Sequence, residues 1–413
     1  MKFAHMADLH LGATSDQRLR EFECKVLEDS FKHCIEECVD FVIIAGDLFH
    51  VNIPDLMVVR DVAVVFRKFI DTGRKIYVVY GSHDFSPNAT SIIDILEVSG
   101  LIVRVGKPQI EGGLLRPSAI RDVKSGAVLT GISGRRTSLE KEAFERLDRD
   151  YLDKLEGFKI FVFHTGLDEI RREDERFEGV SIKELPPGFD YYAGGHIHRK
   201  MDLKKDKRIV YPGPLFTGWG ADLEGTANGE ERGFYIVDVD SEHEIETRFK
   251  NMMPFEGILK KVNAAGYSAA EINKQLMDVA NDSKIRGKLL VLKVFGELST
   301  GKTSDIDFVS IKDAIMKNGA IYLHLNRHQL KSREVRQVTV NGENTAEIEE
   351  GVLKELAGTV RISDERLRSG SVDIAKQLLA QLRSPKIEGE TGESYESRIK
   401  ANVKEILGIK ELI

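Results

Sequence analysis

Five short motifs set the limits on what this chain can fold into. They are Asp8-Leu9-His10, Gly46-Asp47-Leu48-Phe49-His50, Gly81-Ser82-His83-Asp84, His164-Thr165-Gly166 and Gly195-His196-Ile197-His198, and they hold six of the eleven histidines. Each follows an apolar run that reads as a strand, at residues 2–6, 41–45, 76–80, 158–163 and 191–193. In open α/β sheets ligands sit in the crevice outside the carboxyl ends of the strands. Five loops far apart in sequence can therefore deliver Asp and His side chains to one place. Carboxylate plus imidazole, without thiolate, suits Mn²⁺, Fe²⁺ or Zn²⁺ rather than Ca²⁺ or an iron–sulfur cluster. The set offers more ligands than one ion can use, which points to a two-metal site.

From residue 1 to about 250, these strands alternate with helical stretches, clearest at 16–39 and 54–71. Residues 209–211 and 234–239 add strand material around a Gly/Pro-rich stretch, 212–220. The expectation is a layered α/β domain with a mixed sheet. A second unit opens near Met253-Pro254. Strand-like 255–262, 288–295 and 321–325, with helix-like 269–280 and 307–316, make a small α+β module that has no Asp/His cluster and is expected to position substrate. Farther on, two amphipathic helices, 372–382 and 395–407, are separated by polar segments. Such a tail lacks the apolar mass for a core of its own. Its helices dock either on the chain's own domains or in a partner's groove, and the pattern leaves both open. The expected division is 1–250, 251–340 and 341–413.

A chain of 413 residues is long for one core. It has no run of about 18 apolar residues, so no membrane span is expected. The motifs begin at Asp8, leaving no room for a signal peptide, and the expected compartment is the cytoplasm. Three cysteines, Cys24, Cys34 and Cys38, are too few and too clustered for a disulfide framework; Cys34 and Cys38 share the helical stripe of Leu27 and Phe31 and read as core thiols. The net charge of −7 does not advertise nucleic acid, yet local basic patches can supply the attraction. Arg135-Arg136, Arg171-Arg172 and the 199–208 stretch, with Lys200, Lys204, Lys205 and Lys207, are candidates, although each alone reads as a solvated loop. Helix 54–71 carries two apolar stripes, and Ile92, Ile93, Ile95 and Leu96 repeat the excess. A helical homodimer interface through 54–71 and 88–99 is expected.

The five motifs together resemble the calcineurin-like metallophosphoesterase superfamily. Within it, Ala7-Asp8-Leu9-His10-Leu11-Gly12, Ala45-Gly46-Asp47-Leu48-Phe49-His50 and Gly194-Gly195-His196-Ile197-His198 resemble the double-strand-break repair nucleases of the Mre/SbcD family, archaeal members above all. The resemblance is good over the first 240 residues and weaker through a capping module and tail. It implies a layered phosphoesterase sandwich, with Asp8, His10, Asp47 and His198 on one Mn²⁺ and Asp47, Ser82, His164 and His196 on the other. His83 would stabilise the pentacovalent phosphorus or protonate the leaving 3′-oxygen, His50 would contact the scissile phosphate, and Asp84 would orient His83. These roles are chemically coherent, because an imidazole beside two cations but not needed as a ligand suits acid catalysis. The family pattern has Asn where this chain has Ser82. A hydroxyl on a shorter arm reaches an ion through water or holds it weakly.

What the resemblance implies is a Mn²⁺-dependent DNA nuclease that trims broken ends, 3′-to-5′ on duplexes and endonucleolytic on single strands or hairpins. Its partner would be an SMC-like coiled-coil ATPase of the Rad/SbcC type, bound through the tail helices. Two other readings use the same core: a phosphatase or phosphodiesterase for small substrates, and a DNA-bridging scaffold with activity weakened by Ser82. Elsewhere, His5 reads as a hydrogen-bonded core histidine, and His33, His243, His324 and His328 carry no assigned chemistry. Residues 296–303 match the phosphate-loop pattern, but the acids Asp305 and Asp307 follow instead of a helix start that could cradle phosphate. The match reads as a coincidence, with Asp305 as N-cap of the next helix.

Overall fold

The computed structural model describes residues 1–85, 90–134, 140–173, 177, 179–204, 207–216, 220–332, 345–359, 365, 370–387, 390 and 392–408. Arg135, Arg136, Lys205 and residues 88–89 of the expected dimer surface lie outside these. In chain order the strands are β1 (Lys2–Met6), β2 (Phe41–Ala45), β3 (Lys75–Val79), β4 (Val103–Arg104), β5 (Pro108–Glu111), β6 (Leu114–Pro117), β7 (Ile120–Arg121), β8 (Val128–Ile132), β9 (Lys159–His164), β10 (Tyr191–Gly195), β11 (Met201–Lys204), β12 (Arg208–Tyr211), β13 (Gly233–Val239), β14 (Ile245–Asn251), β15 (Gly257–Asn263), β16 (Leu289–Glu297), β17 (Tyr322–Asn326) and β18 (Leu330–Lys331). The helices used below are α1 (Gln17–Glu36), α2 (Leu56–Ile70), α3 (Ile92–Val98), α4 (Glu140–Glu145), α5 (Arg149–Asp153), α6 (Gly220–Ala227), α7 (Ala269–Asn281) and α8 (Phe308–Lys317).

Two six-stranded mixed sheets form the first layers, in the orders β14-β13-β1-β2-β3-β4 and β11-β12-β10-β9-β8-β7. The five strands that lead into motifs are buried on both faces, which is why they read as continuous apolar runs rather than alternating ones. Phe3, Phe41, Ile43 and Tyr77 of the first sheet pack on Ile160, Val162, Tyr191 and Val210 of the second. The outer residues of the first sheet, among them Met6, Val42, Ile44 and Val78, are covered by Leu27, Phe31, Val62 and Phe66 of α1 and α2. Phe144 of α4 and Leu152 of α5 cover the outside of the second sheet at Phe161 and Phe163. The result is a helix–sheet–sheet–helix sandwich. Its parallel strands β1, β2 and β3, and likewise β8, β9 and β10, end side by side.

His5 sits between the sheets and shares a hydrogen bond with Tyr191 Oη (3.0 Å), as expected of a core histidine. Cys34 is buried in the α1 stripe, but Cys38 is exposed. The helix ends at Glu36, and Cys38 follows with a φ of +56°, which turns it off the stripe. On α2, Val58, Val62, Val65, Phe66 and Phe69 are buried, whereas Leu56, Met57 and Val64 are exposed, as are Ile95 and Val98 of α3.

Glu23 of α1 is buried, and its carboxylate accepts the Gly12 N–H (2.7 Å) in the turn after His10. Burial pushes its carboxyl up from 4.5 to about 7. A pKa raised by folding gives a contribution that is fully present below about pH 4.5 and lost as pH rises through 7. Glu23→Gln is therefore expected to stabilise the fold at pH 8.5, by on the order of 3 kcal/mol, and to change little at pH 5. Thermal melts at both pH values check this, and equal shifts would contradict it.

A four-stranded sheet of β15, β16, β17 and β18 with α7 and α8 follows, and it belongs to the same compact unit, Met1–Ser332. Here β16 runs into residues 296–303, and Thr303–Asp305 makes a short 3₁₀ turn rather than an α-helix. The N-cap of α8 is Asp307, which accepts the Ser310 N–H (3.0 Å). Asp305, expected in that role, instead accepts the Lys302 N–H (2.7 Å) and closes the 3₁₀ turn. No phosphate cradle forms.

Arg333–Ile413 is a compact unit by itself. It contains helices Ser371–Leu382 and Gly392–Leu407, and also Thr345–Thr359, which the sequence reading missed. No described residue of this unit is buried, in keeping with a tail that lacks the apolar mass for a core, and its helices are joined by polar ties. Lys376 pairs with Glu350 (2.7 Å), Arg383 with Glu349 (2.7 Å), and Asn402 donates to Gln381 (2.9 Å). Among the described residues no helix is long and apolar enough to cross a membrane.

Candidate metal centre

The loops after β1, β2, β3, β9 and β10 meet at the carboxyl edge of the two sheets. Their backbones are held in conformations that L-residues seldom adopt: Asp8 (φ 52°), His10 (44°), Asp47 (50°) and His196 (90°). Four of the six non-glycine residues with positive φ among those described are thus motif residues. Such strain persists only where the surroundings enforce it, and it concentrates at functional sites. Close approach is enforced as well, because a methyl group at Gly81 would overlap the Asp47 carboxylate.

Asp47 is central. Its carboxylate accepts the His83 N–H (2.8 Å) and lies 3.3 Å from His164 Nε2 and 3.5 Å from His10 Nε2. His10 Nε2 and His198 Nε2 approach to 3.1 Å. His164, the last residue of its strand rather than the first of the loop, donates from Nδ1 to Ala45 O (2.9 Å), which turns Nε2 toward Asp47. Asp8 Oδ1 accepts the His196 N–H (2.8 Å), while Asp8 Oδ2 is buried without a hydrogen-bond partner.

Among the described residues, three groups place ligand atoms close enough to share a cation: Asp8, His10 and His198; Asp8, Asp47 and His164; and His10, His50 and His83. His196 stands beside them, its ring 5.3 Å from that of His164, and Ser82 Oγ lies 3.5 Å from Asp47 Oδ2. His50, Ser82 and His83 line a cavity of about 400 Å³. The His50 and His83 rings stack at 5.2 Å, and His83 Nδ1 bonds to His50 O (2.6 Å).

The electrostatics fit a cation. Burial pushes the Asp8 carboxyl up to about 6, against the pull of His164 and His198. For Asp47 burial acts upward too, but His164, His10 and His83 outweigh it and hold the carboxyl well below its usual range. His164 is the converse: burial opposes its charge, yet Asp47 and Asp8 raise it to about 10. Without metal, a proton on His164 thus supplies the positive charge that these carboxylates call for. Burial keeps His10 neutral, and burial with the His164 charge pushes His196 down to about 3, so both offer lone pairs. An orphaned carboxylate oxygen, neutral imidazoles and a compensating proton are what a divalent-cation site shows when a proton stands in for the ion.

Two assignments change. Asp84 does not reach the His83 ring. Its buried carboxylate accepts the N–H groups of Gly81 (2.8 Å), Leu48 (3.4 Å) and Phe49 (3.4 Å), because its turn folds it beneath the loops. It locks the 46–49 and 81–84 turns together. The residue that does orient a site histidine is Asp222, which the sequence reading missed: both its oxygens lie 3.0 Å from His198 Nδ1. The nearby basic side chains are engaged locally. Lys207 donates to Leu185 O (2.7 Å), Arg171 to Phe177 O (3.0 Å), Arg199 to Ile170 O, and Lys200 pairs with Glu231.

A calcineurin-like phosphoesterase family description matches residues 1–200. The chain carries a calcineurin-like phosphoesterase domain. The chain is 30% identical over 228 residues to the DNA double-strand break repair protein Mre11 of Archaeoglobus fulgidus, a match covering 52% of this chain and 50% of that one. To the Mre11 of Methanocaldococcus jannaschii it is 27% identical over 254 residues, 58% of this chain and 62% of that one. It therefore spans less than two thirds of either relative. The Mre11 of Thermoplasma acidophilum aligns more fully, at 24% identity over 391 residues, 93% of this chain and 95% of that one. The phosphoesterase domain accounts for all five motifs, and members of its family bind divalent metals.

Proposed function

We propose that this chain is a Mn²⁺-dependent DNA nuclease that processes the ends of double-strand breaks. The observation that carries the reading is the meeting of buried Asp8, His10, Asp47 and His164 with half-buried His198 at one sheet edge of a phosphoesterase domain. Near full-length similarity to a break-repair protein supports DNA as the substrate. Asp8, His10, Asp47 and His198 would hold one ion, and Asp47, Ser82, His164 and His196 the other. Two bound cations would neutralise a phosphodiester and lower the pKa of water. His50 and His83, on the wall of the adjoining cavity, contact the scissile phosphate and serve the leaving oxygen. By resemblance the polarity is 3′-to-5′ on duplex ends, with endonuclease action on single strands.

The α+β module helps hold DNA, and the tail helices bind an SMC-like ATPase of the Rad/SbcC type. Leu56, Met57, Val64, Ile95 and Val98, all exposed, support a homodimer through α2 and α3. Leu56→Glu with Val98→Glu is expected to halve the solution mass in light scattering; an unchanged mass would contradict that interface.

The test is cleavage of an end-labelled duplex in Mn²⁺, Mg²⁺ or EDTA, with a nitrophenyl phosphodiester in parallel. Mn²⁺-dependent shortening from the 3′ end is expected. Hydrolysis of the small diester with the duplex untouched would favour a small-substrate phosphodiesterase. Ser82→Asn supplies a longer carbonyl arm and is expected to lower the Mn²⁺ concentration needed for half-maximal cleavage by about 10-fold. A raised requirement would show that Ser82 is the better fit.

A further inference from the structure

Helix α6 touches the metal centre and the α+β module at once. On one side Asp222 holds His198 Nδ1. Arg232, almost fully buried, clamps the same region by donating to His198 O (2.8 Å), Asp222 O (3.0 Å) and Thr226 Oγ1 (3.0 Å). On the other side Glu224, two residues along, accepts from Lys293 Nζ of β16 (3.0 Å) and Asn326 Nδ2 of β17 (2.5 Å). Leu223 and Ala227 are buried in one cluster with Leu289 and Val291 of β16. The approach is tight at both ends, since a methyl at Gly257 of β15 would press on Ala227 Cα (2.7 Å) and one at Gly220 on the His324 ring of β17 (3.1 Å).

We infer that α6 is a strut through which the α+β module sets the position of His198, with Asp222 and Glu224 as positioning residues at its two ends. A hydrogen bond from a metal-ligating imidazole to a carboxylate fixes its tautomer and orientation, and losing it costs about 10- to 100-fold in metal affinity. With Nδ1 donating to Asp222, the His198 lone pair lies on Nε2, the atom that faces His10. Any shift of β16 and β17 is passed through Glu224 to the helix that carries Asp222. Coupling of this kind is reciprocal, so metal binding also stiffens the seat of the module. The inference rests on the reading of His198 as a metal ligand.

The test uses the full chain. Mn²⁺ affinity is measured by calorimetry, and the His198 ring-nitrogen signals are followed by ¹⁵N NMR of the metal-free protein, with melting checked for each variant. Asp222→Asn is expected to weaken Mn²⁺ binding by about 10- to 100-fold and to move the His198 signals. Glu224→Ala, which cuts the strut from the helix, and Lys293→Ala, which cuts it from the module, are each expected to weaken binding by about 5-fold with smaller movements of the same signals. Asp222→Asn combined with Glu224→Ala is expected to be no weaker than Asp222→Asn alone, because Glu224 acts through Asp222. An Asp222 effect with unchanged affinity and signals in Glu224→Ala and Lys293→Ala would overturn the strut and leave the metal centre standing. If Mn²⁺ binds to Asp222→Asn and to His198→Ala as tightly as to the unaltered chain, the ligand assignment itself falls, and the strut with it.

Discussion

Asp47→Asn is expected to lower metal-dependent cleavage of duplex ends by about 10³-fold or more. The substitution nearly preserves shape, so the result isolates charge. Asp47 is the carboxylate closest to both histidine groups, 3.3 Å from His164 Nε2 and 3.5 Å from His10 Nε2. Its negative charge is what raises His164 against the effect of burial. With Asn in its place, the remaining carboxylate beside His164 is Asp8, 3.8 Å from Nδ1. On the proposed two-cation reading, the site then lacks the bridging anion that two like-charged cations would need between them. Quantified product formation from a labelled duplex checks this. Retention of even a tenth of the activity would mean that Asp47 is not the bridge.

The second large effect separates binding from chemistry. His83→Ala is expected to keep its Mn²⁺ and lose about 10²- to 10⁴-fold in cleavage, the usual worth of a positioned proton donor. His198→Ala is expected to lose metal affinity as well, by at least about 10-fold. The structure gives these two residues different surroundings. His83 bonds to a backbone carbonyl and lines the open cavity, whereas His198 is held by Asp222 with its Nε2 turned to His10 Nε2. Calorimetry beside the cleavage assay distinguishes them. Equal loss of metal in both variants would count against the separate roles.

The ends of β1 and β2 were legible in the sequence to the residue; for β2 the reason is plain, because a strand buried on both faces leaves an unbroken apolar run, Phe41–Ala45, that stops where the motif begins. Residues were also brought together as the motifs suggested: Asp8, Asp47 and His164 share one group although 156 positions separate the first from the last. Asp222 was not legible. One carboxylate on an eight-residue helix, 24 positions from the histidine it holds, has no motif around it. Asp84 was noticed for its chemistry but given the wrong neighbour, since the sequence does not reveal that its turn folds the side chain under three backbone N–H groups. Cys38 failed for a related reason: the apolar stripe continues in the letters after the helix has ended at Glu36. The tail helices 371–382 and 392–407 were found by periodicity; helix 345–359 was not, and it is tied to the first of them by the pairs Lys376–Glu350 and Arg383–Glu349, which an apolar count does not see.

Electron paramagnetic resonance of the full chain titrated with Mn²⁺ tests the central claim most directly. Two Mn²⁺ per chain with an exchange-coupled spectrum, replaced by uncoupled signals in Asp47→Asn, are what a carboxylate-bridged centre predicts. A single site, or two sites whose spectra never couple, would contradict a two-cation centre built on Asp47.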